Sequence, residues 1–264
     1  MKKILVLLLS VLLSLNLVAC TNNEETDTKV RIGVSWSMDY ASAMEDEDVN
    51  AYMTSIEKAG AEAVNLDQIT DIESAKQVLA TVDAVILTGG EDVDPALYGE
   101  ELSPLTEELN EARDISDYNL LKAAIEMDMP LVATCRGMQM LNTVQGGTLY
   151  QDLFTEYDTD INHRDPLLND FTYHEVTIED GNIIADAMGG AGTYTVNSWH
   201  HQGIDTLGQG LKVVATAADG MIEGIVLEDA TYIYGVQFHP EWHVVEGTLD
   251  CLSVFEALIK AASK

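Results

Sequence analysis

Cys135 stands where a nucleophile would be useful. Leu131-Val132-Ala133-Thr134 is an apolar run of strand character, and Arg136-Gly137 opens a helix directly after the cysteine. A nucleophile on so sharp a strand-to-helix turn needs small residues two before and two after it, because strand and helix pass closely there. Ala133 and Gly137 meet that need. The helix N-terminus behind Cys135 favours a thiolate, and its free N–H groups can hold an oxyanion. Two more segments complete the set. Leu87-Thr88-Gly89-Gly90 ends a strand in two glycines that let backbone approach a reacting carbonyl, and Gln237-Phe238-His239-Pro240-Glu241 places a base and a carboxylate two residues apart. Such a set performs acyl transfer: His239 deprotonates Cys135, and Glu241 fixes the tautomer of His239. Each piece alone is a common structural feature. Three of them at strand ends that one sheet can unite point to covalent catalysis.

The elements that must position them follow from periodicity. Strands are expected at Arg31–Trp36, Ala63–Leu66, Ala84–Leu87 and Pro130–Thr134, alternating with helices at Val49–Ala59, Ile72–Ala80, Ile115–Met127 and Gly137–Gln145. Repeated strand–helix units of this length specify a parallel sheet with helices on both faces, and ligands then bind beyond the carboxyl ends of the strands. Residues 88–113 read as one long irregular stretch. The second half differs, with strand-like segments at Glu175–Ile178, Thr193–Val196, Leu211–Ala217, Ile222–Leu227 and Tyr232–Gln237 and a last helix at Leu249–Ala261. The fold class is therefore α/β, a mostly parallel central sheet flanked by helices, with an antiparallel region in the C-terminal half. Residues 30–264 read as one domain.

Composition bounds the partners. A net charge of -32 in 264 residues argues against nucleic acid, whose phosphates need a basic face. At the N-terminus, Lys2 and Lys3 precede an apolar run from Ile4 to Leu17, the pattern of a secretory signal rather than of a spanning helix. Leu17-Val18-Ala19-Cys20 resembles the bacterial lipobox, which implies cleavage after residue 19 and a lipid on Cys20. Residues 20–29 read as a polar tether. The expected location is outside the bacterial cytoplasmic membrane, anchored by Cys20, or in the periplasm of a two-membrane cell. Two thiols remain in the body of the chain. Cys251, in an apolar periodic stretch, reads as a buried inert thiol rather than as a disulfide partner for Cys135.

Longer motifs carry a resemblance. Cys135-Arg136-Gly137-Met138-Gln139, Gly146-Gly147-Thr148-Leu149-Tyr150-Gln151-Asp152-Leu153 and Gly235-Val236-Gln237-Phe238-His239-Pro240-Glu241 resemble the class I glutamine amidotransferase-like superfamily, whose fold is flavodoxin-like. Thr88 to Pro95, Tyr98-Gly99-Glu100, Arg113-Asp114 and Asn197-Ser198-Trp199-His200-His201-Gln202 resemble, within it, the γ-glutamyl-γ-aminobutyrate hydrolase family. The match runs from about residue 30 to the C-terminus. It implies Cys135 as nucleophile, His239 as base, Glu241 as its orienter, and the backbone N–H groups of Gly90 and Arg136 as the oxyanion hole. It also implies Gln139 as a substrate contact and His200 and His201 as residues that shape the pocket. The implied reaction is hydrolysis of a γ-glutamyl amide through a thioester, with no metal or organic cofactor and a small-molecule substrate. A homodimer is compatible with it. The family usually has Gly where this chain has Ala133, a departure that bears on rate more than on mechanism.

Scarce arginine bears on the substrate. Arg113, Arg136 and Arg164 lie in segments flanking the site, where a guanidinium could pair with a carboxylate; a structural ion pair with Asp114 or Asp165 is the competing expectation for Arg113 and Arg164. Arg136 is the candidate to read the glutamyl head with Gln139. Acids on the rim would favour neutral or cationic leaving groups over polyanionic tails. Tyr98, Tyr150 and Tyr157 are candidates for pocket lining or for core. His239, Glu241 and His243 do not form a zinc-protease motif, since the glutamate is misplaced and Pro240 is expected to spoil the helix. Two rival functions stand beside the hydrolase: a glutaminase subunit that feeds ammonia to a synthetase, and a lipoprotein that binds γ-glutamyl ligands without turnover.

Overall fold

Three strands with no polar residue facing solvent sit at the middle of the molecule. In a computed structural model, which describes residues 29–36 and 47–263, Ala84–Leu87 (β3), Leu131–Thr134 (β4) and Ile233–Val236 (β11) are buried at every position. Strands covered on both faces need such continuous apolar runs. The signal segment, Cys20 and nearly all of the tether lie outside the described residues.

Parallel pairing places Glu62–Leu66 (β2) and Arg31–Ser35 (β1) on one side of β3, and β4 and β11 on the other, in the order β2-β1-β3-β4-β11. Beyond β11 the sheet turns antiparallel through Ile222–Leu227 (β10), Leu211–Ala217 (β9), Thr172–Ile178 (β6) and Gly192–Ser198 (β7), making nine strands. The period-two alternation of each strand divides the core. Ile32, Val34, Ile86 and Val132 pack toward helices Glu47–Lys58 (α1) and Leu252–Ala262 (α8), with Tyr52, Ile56, Phe255 and Leu258. Val85, Leu87, Leu131 and Ala133 pack the other way with Leu120, Leu121, Met138 and Leu141, from helices Glu111–Glu126 (α3) and Arg136–Val144 (α4). Helix Ile72–Leu79 (α2) begins where the Asp71 carboxylate accepts from Ser74 N–H, the side-chain cap expected before an amphipathic run.

The expected mostly parallel α/β sheet, with an antiparallel C-terminal half, is therefore the fold. Differences lie at element ends, in short elements and in β11, expected among the antiparallel strands but parallel to β4 and antiparallel only to β10. Helix α3 starts at Glu111 because the Asn110 side chain accepts from Arg113 N–H. The last helix starts at Leu252 rather than Leu249, with Cys251 at its cap as a buried, free thiol whose pKa burial pushes up to about 12. A two-stranded pairing of Leu149–Tyr150 (β5) with Gly203–Ile204 (β8), and helices Leu153–Glu156 (α5) and Ile183–Ala187 (α6), are too short for periodicity to reveal. Helix Pro240–Glu246 (α7) overturns an expectation. Pro240 sits at its first position, where a proline lacks no needed N–H, so it starts the helix instead of spoiling it.

Close approach between β3 and α4 explains Gly137. A methyl group there would stand 2.6 Å from Leu87 O, a backbone atom that cannot yield without moving β3. Gly235 is similarly pressed by Met138 Cγ at 2.6 Å, while Ala133, its register partner, fits as a fully buried apolar residue. Gly137→Ala is expected to cost about 1–3 kcal/mol of stability through overpacking. A lowered urea midpoint at unchanged m-value is the readout, and an unshifted midpoint would contradict the packing described.

Candidate active site

The three central strands end side by side, so whatever follows them converges. Cys135 follows β4 with φ 49° and ψ −109°, a left-handed conformation rare for a residue with a side chain. Such backbone costs about 1–3 kcal/mol and persists only where its surroundings fix it. Here Cys135 N–H donates to Val236 O at 2.8 Å, tying the turn to β11, while α4 starts at the next residue. The thiol is buried at 5% exposure yet lines two cavities, of about 590 and 210 Å3.

His239 follows β11 and caps α7. Its Nδ1 lies 2.6 Å from Glu241 Oε1, and Glu241 is fully buried. Asn197, at the end of β7, grips the His239 backbone twice: Asn197 Oδ1 accepts from His239 N–H at 2.8 Å, and Asn197 Nδ2 donates to His239 O at 2.9 Å. The Nε2 of His239 has no aligned hydrogen bond, and the Cys135 sulfur lies close enough to act on its charge. Burial pulls the His239 pKa down most strongly, but Glu241 and Cys135 together push it well above the ordinary histidine value. Gly89 makes the meeting sterically feasible, since a Cβ there would stand 2.7 Å from His239 Cε1 and 3.5 Å from Cys135 Cβ. The structure thus brings Cys135, His239 and Glu241 to one site, with Gly90 on the walls of both cavities.

A second shell of charge holds the β3 turn. Arg113 is fully buried; its Nη2 donates to Gly89 O, Thr88 O and Thr88 Oγ1, and its Nη1 to Glu91 Oε2 at 2.5 Å. Gly90, at φ 143°, leaves room for this, because a Cβ would fall 1.9 Å from Arg113 Nη1. Tyr52, which sequence reading did not single out, accepts from Gly89 N–H at 3.2 Å and shares a hydrogen bond with Thr134 Oγ1.

Arg136 is a correction. Its side chain is not a pocket group: it turns beneath the elbow, buried, to Asp114 Oδ1 and Asp117 Oδ2 at 2.5 Å each. A guanidinium buried at this depth stays where carboxylates neutralise it, which leaves only the Arg136 backbone N–H near the site. The ion-pair partners also differ from the expected Asp114 or Asp165: Arg113 meets Glu91 and Asp117, and Arg164 meets Glu107 in two parallel hydrogen bonds. Arg164 is the arginine that lines the smaller cavity, together with Gln139, His200 and His201. Gln139 Nε2 donates to Gln202 O at 3.1 Å, and His201 Nε2 lies 2.9 Å from Asp92 Oδ1.

The larger cavity is walled by Trp36, Trp199, Trp242 and Phe171, with Glu47, Asp48, Asp170 and Glu246 on its lining. All three tryptophans of the chain face this one space, a signal that scarcity of the residue could have flagged. Phe171 packs against the rings of Trp199, His239 and Trp242 at 5.7 to 5.9 Å. Tyr98, Tyr150 and Tyr157 do not line either cavity; they pack against apolar clusters, with Tyr150 and Tyr157 5.3 Å apart. His243 accepts from Asn197 N–H, and burial lowers its pKa to about 4, so it is a neutral structural acceptor.

Fold and site together define a class I glutamine amidotransferase-like domain. A model of the Peptidase C26 family matches residues 31–241, and the chain belongs to that family. It is 31% identical to the γ-glutamyl-γ-aminobutyrate hydrolase PuuD of Escherichia coli over 216 residues, covering 80% of this chain and 84% of PuuD. It is 39% identical to the Mycobacterium tuberculosis protein Rv2859c over 215 residues, 80% of this chain but 66% of that protein, just under two thirds of its length. The glutaminase domain of Trypanosoma brucei CTPS, solved with bound acivicin, shares the fold at a TM-score of 0.63 and 14% identity, over 89% of this chain and 94% of that one.

The raised His239 pKa has a consequence for stability. A group whose pKa rises on folding contributes stability that is complete below its unfolded value, about 6.5, and is lost as pH climbs through the folded value. The unfolding free energy of the wild type, relative to His239→Gln, should therefore shrink as pH rises from about 6 to about 9. Urea titrations across that range test it, and a difference that grows with pH contradicts the assignment.

Proposed function

We propose that the chain is a cysteine-dependent hydrolase of γ-glutamyl amide bonds. The observation that carries this reading is the strained Cys135 at the junction of two cavities, beside a histidine held at 2.6 Å by a buried glutamate. Family membership and the similarity to PuuD support hydrolysis at a γ-glutamyl group. In the proposed cycle the Cys135 thiolate attacks the γ-carbonyl carbon. The resulting oxyanion accepts hydrogen bonds from the N–H groups of Gly90 and Arg136, the latter free because it opens α4. Collapse breaks the C–N bond, and His239 gives its proton to the departing amine. Water, deprotonated by the same imidazole, then hydrolyses the thioester and restores the thiol. Glu241 stabilises the imidazolium in both half-reactions.

The two cavities suggest a division of labour. The smaller, polar one suits the glutamyl head: Gln139 and Arg164 face its α-carboxylate, and Glu91, Asp92 and Glu107 offer acceptors to its α-ammonium. Arg164 thereby takes the role expected of the Arg136 side chain. The larger cavity suits the amine. Tryptophan faces attract a cation, and four carboxylates favour one over an anion. γ-Glutamyl amines that carry a distal ammonium are therefore the preferred substrates.

Cys135→Ala should abolish turnover of a γ-glutamyl amine by the isolated chain, and Glu241→Gln should retain more activity than His239→Ala, since the glutamate acts through the ring. Residual activity of Cys135→Ala equal to wild type would exclude the nucleophile, and activity only with an added synthetase would favour a glutaminase subunit. As for the leaving group, kcat/KM for a distal ammonium should exceed that for a γ-polyglutamate roughly tenfold at low salt, with the gap narrowing as salt screens the rim. Preference for the polyanion at low salt would refute the rim while leaving the nucleophile untouched.

A further inference from the structure

Behind the smaller cavity, three imidazoles surround one carboxylate. Glu223, on β10, is fully buried, and its Oε1 lies 3.1 Å from His174 Nε2 and 3.6 Å from both His163 Nδ1 and His200 Nε2. His163, His174 and His200 are 2%, 8% and 4% exposed, so water reaches none of them freely. Hydrogen bonds leave several polar atoms of this cluster without an aligned partner. His200 Nδ1 faces the carbonyl of Gln202 at 2.8 Å, and a carbonyl only accepts, so the ring proton is on Nδ1. His163 Nε2 faces Asp219 Oδ2 at 2.9 Å, which commits its proton in the same way. His200, whose pKa burial lowers, then presents a lone pair to a carboxylate oxygen that is itself an acceptor, whereas for His163 burial is outweighed by Glu223 and Asp219, which raise its pKa. His163 Nδ1, His200 Nε2 and Glu223 Oε2 are buried without a hydrogen-bond partner. Positive charge has to meet the buried carboxylate in this dry interior, and a second proton on His163 or a metal ion can supply it.

The dimensions suit a metal ion. A tetrahedral shell with bonds of about 2.0–2.1 Å has ligand-to-ligand edges of about 3.3–3.4 Å. The approaches to Glu223 Oε1 straddle that value, and the ligand atoms of His163, His174 and Glu223 all lie within 4.8 Å of one another. The outer partners fit as well. Asp219 on His163 is the kind of group that fixes the tautomer of a metal-bound imidazole; the far nitrogen of His174 lacks one. Nitrogen-rich donors with one carboxylate match zinc better than magnesium or calcium.

We propose that His163, His174 and Glu223 form a binding site for one divalent transition-metal ion, zinc by preference, with His200 beside it. Its place in the fold gives it a structural task. The site joins β6, β10, the segment after β7 and the loop that carries His163, whose carbonyl accepts from His200 N–H and Ser198 Oγ. Through His200 it steadies Gln202 O, which is also the acceptor for Gln139 Nε2 beside Cys135. The ion would brace the wall of the smaller cavity without entering the chemistry.

The full chain, produced without a polyhistidine tag and passed through gel filtration, should carry about one equivalent of zinc by mass spectrometry of the elements. Stripping with a strong chelator should lower Tm by several degrees. Co2+ added back should restore it, with the intense visible bands of a tetrahedral centre. Glu223→Gln and His174→Ala should lose those bands, and Cys251→Ser should keep them. If either ligand variant fails to fold, metal content and the Co2+ spectrum of the wild type decide alone. A wild-type chain that retains neither Zn2+ nor Co2+ through gel filtration overturns the proposal, as does a tetrahedral Co2+ spectrum that survives both ligand substitutions.

Discussion

The site depends on a pair of buried arginines that no solvent reaches. Arg113 holds the turn after β3 from below, and Arg136 anchors the helix that begins at the elbow. Asp117 lies between them, accepting from Arg136 at 2.5 Å and lying 3.4 Å from Arg113 Nε. The hydroxyl of Ser35, at the end of β1, also donates to Asp117. One carboxylate thus ties the ends of β1, β3 and β4 together. Buried charge is expensive to assemble and more expensive to half-remove; deleting one partner of such a group typically costs about 3–5 kcal/mol. Burial pushes Asp114 up to about 6 although Arg136 pulls it down, whereas Arg113 helps hold Glu91 down at about 2 despite its own burial penalty. The network is costly in stability and gives rigidity at the place where backbone strain must be held.

That strain is why the rest of the arrangement is so closely packed. Cys135 keeps a left-handed conformation because its N–H is fixed by Val236 O, its helix is pressed on Leu87 through Gly137, and Arg136 is locked underneath. His239 is positioned by other means. Its backbone is clamped by Asn197 from a strand four places away in the sheet order, and its ring by Glu241 from the next helix. Cys135 and His239 thus reach one point from separately rigid supports, with Gly89 supplying the space between them.

Much of this was legible in the residues. Ala84–Leu87 and Leu131–Thr134 are buried and nearly all apolar, so they were legible from pattern, and small residues around Cys135 announced the elbow; the parallel pairing of β11 with β4 was not, because its place in the chain grouped it with the antiparallel segments. The site residues on strand ends were legible for the same reason. What escaped was set by distance in the chain. Nothing local to Arg136 says that its side chain meets Asp114 and Asp117 rather than a substrate, because that choice is made by where α3 packs. The partner of Arg164 is Glu107, in an irregular stretch with no periodicity to read. Pro240 misled because proline is a helix breaker in the interior and a helix starter at the first position, and only the cap geometry tells these apart.

The acidity of the chain acquires a direction from the two cavities. A net charge of -32 spread evenly would repel every anion equally, and would say little about substrate. Here carboxylates gather around both openings, but the smaller one also holds Arg164 and Gln139, while the lining of the larger has no lysine or arginine among the described residues. Under the proposed function, a γ-glutamyl amine with a positive charge at its far end would set that charge among the carboxylates of the larger cavity and its carboxylate near Arg164 and Gln139, although Arg164 is already paired with Glu107. Reversing it would place the distal cation against Arg164 and the carboxylate among Glu47, Asp48, Asp170 and Glu246. If the proposed function holds, this arrangement of charge favours one orientation of a γ-glutamyl amine, and that orientation puts the γ-carbonyl, the group between the two ends, at the junction where Cys135 stands.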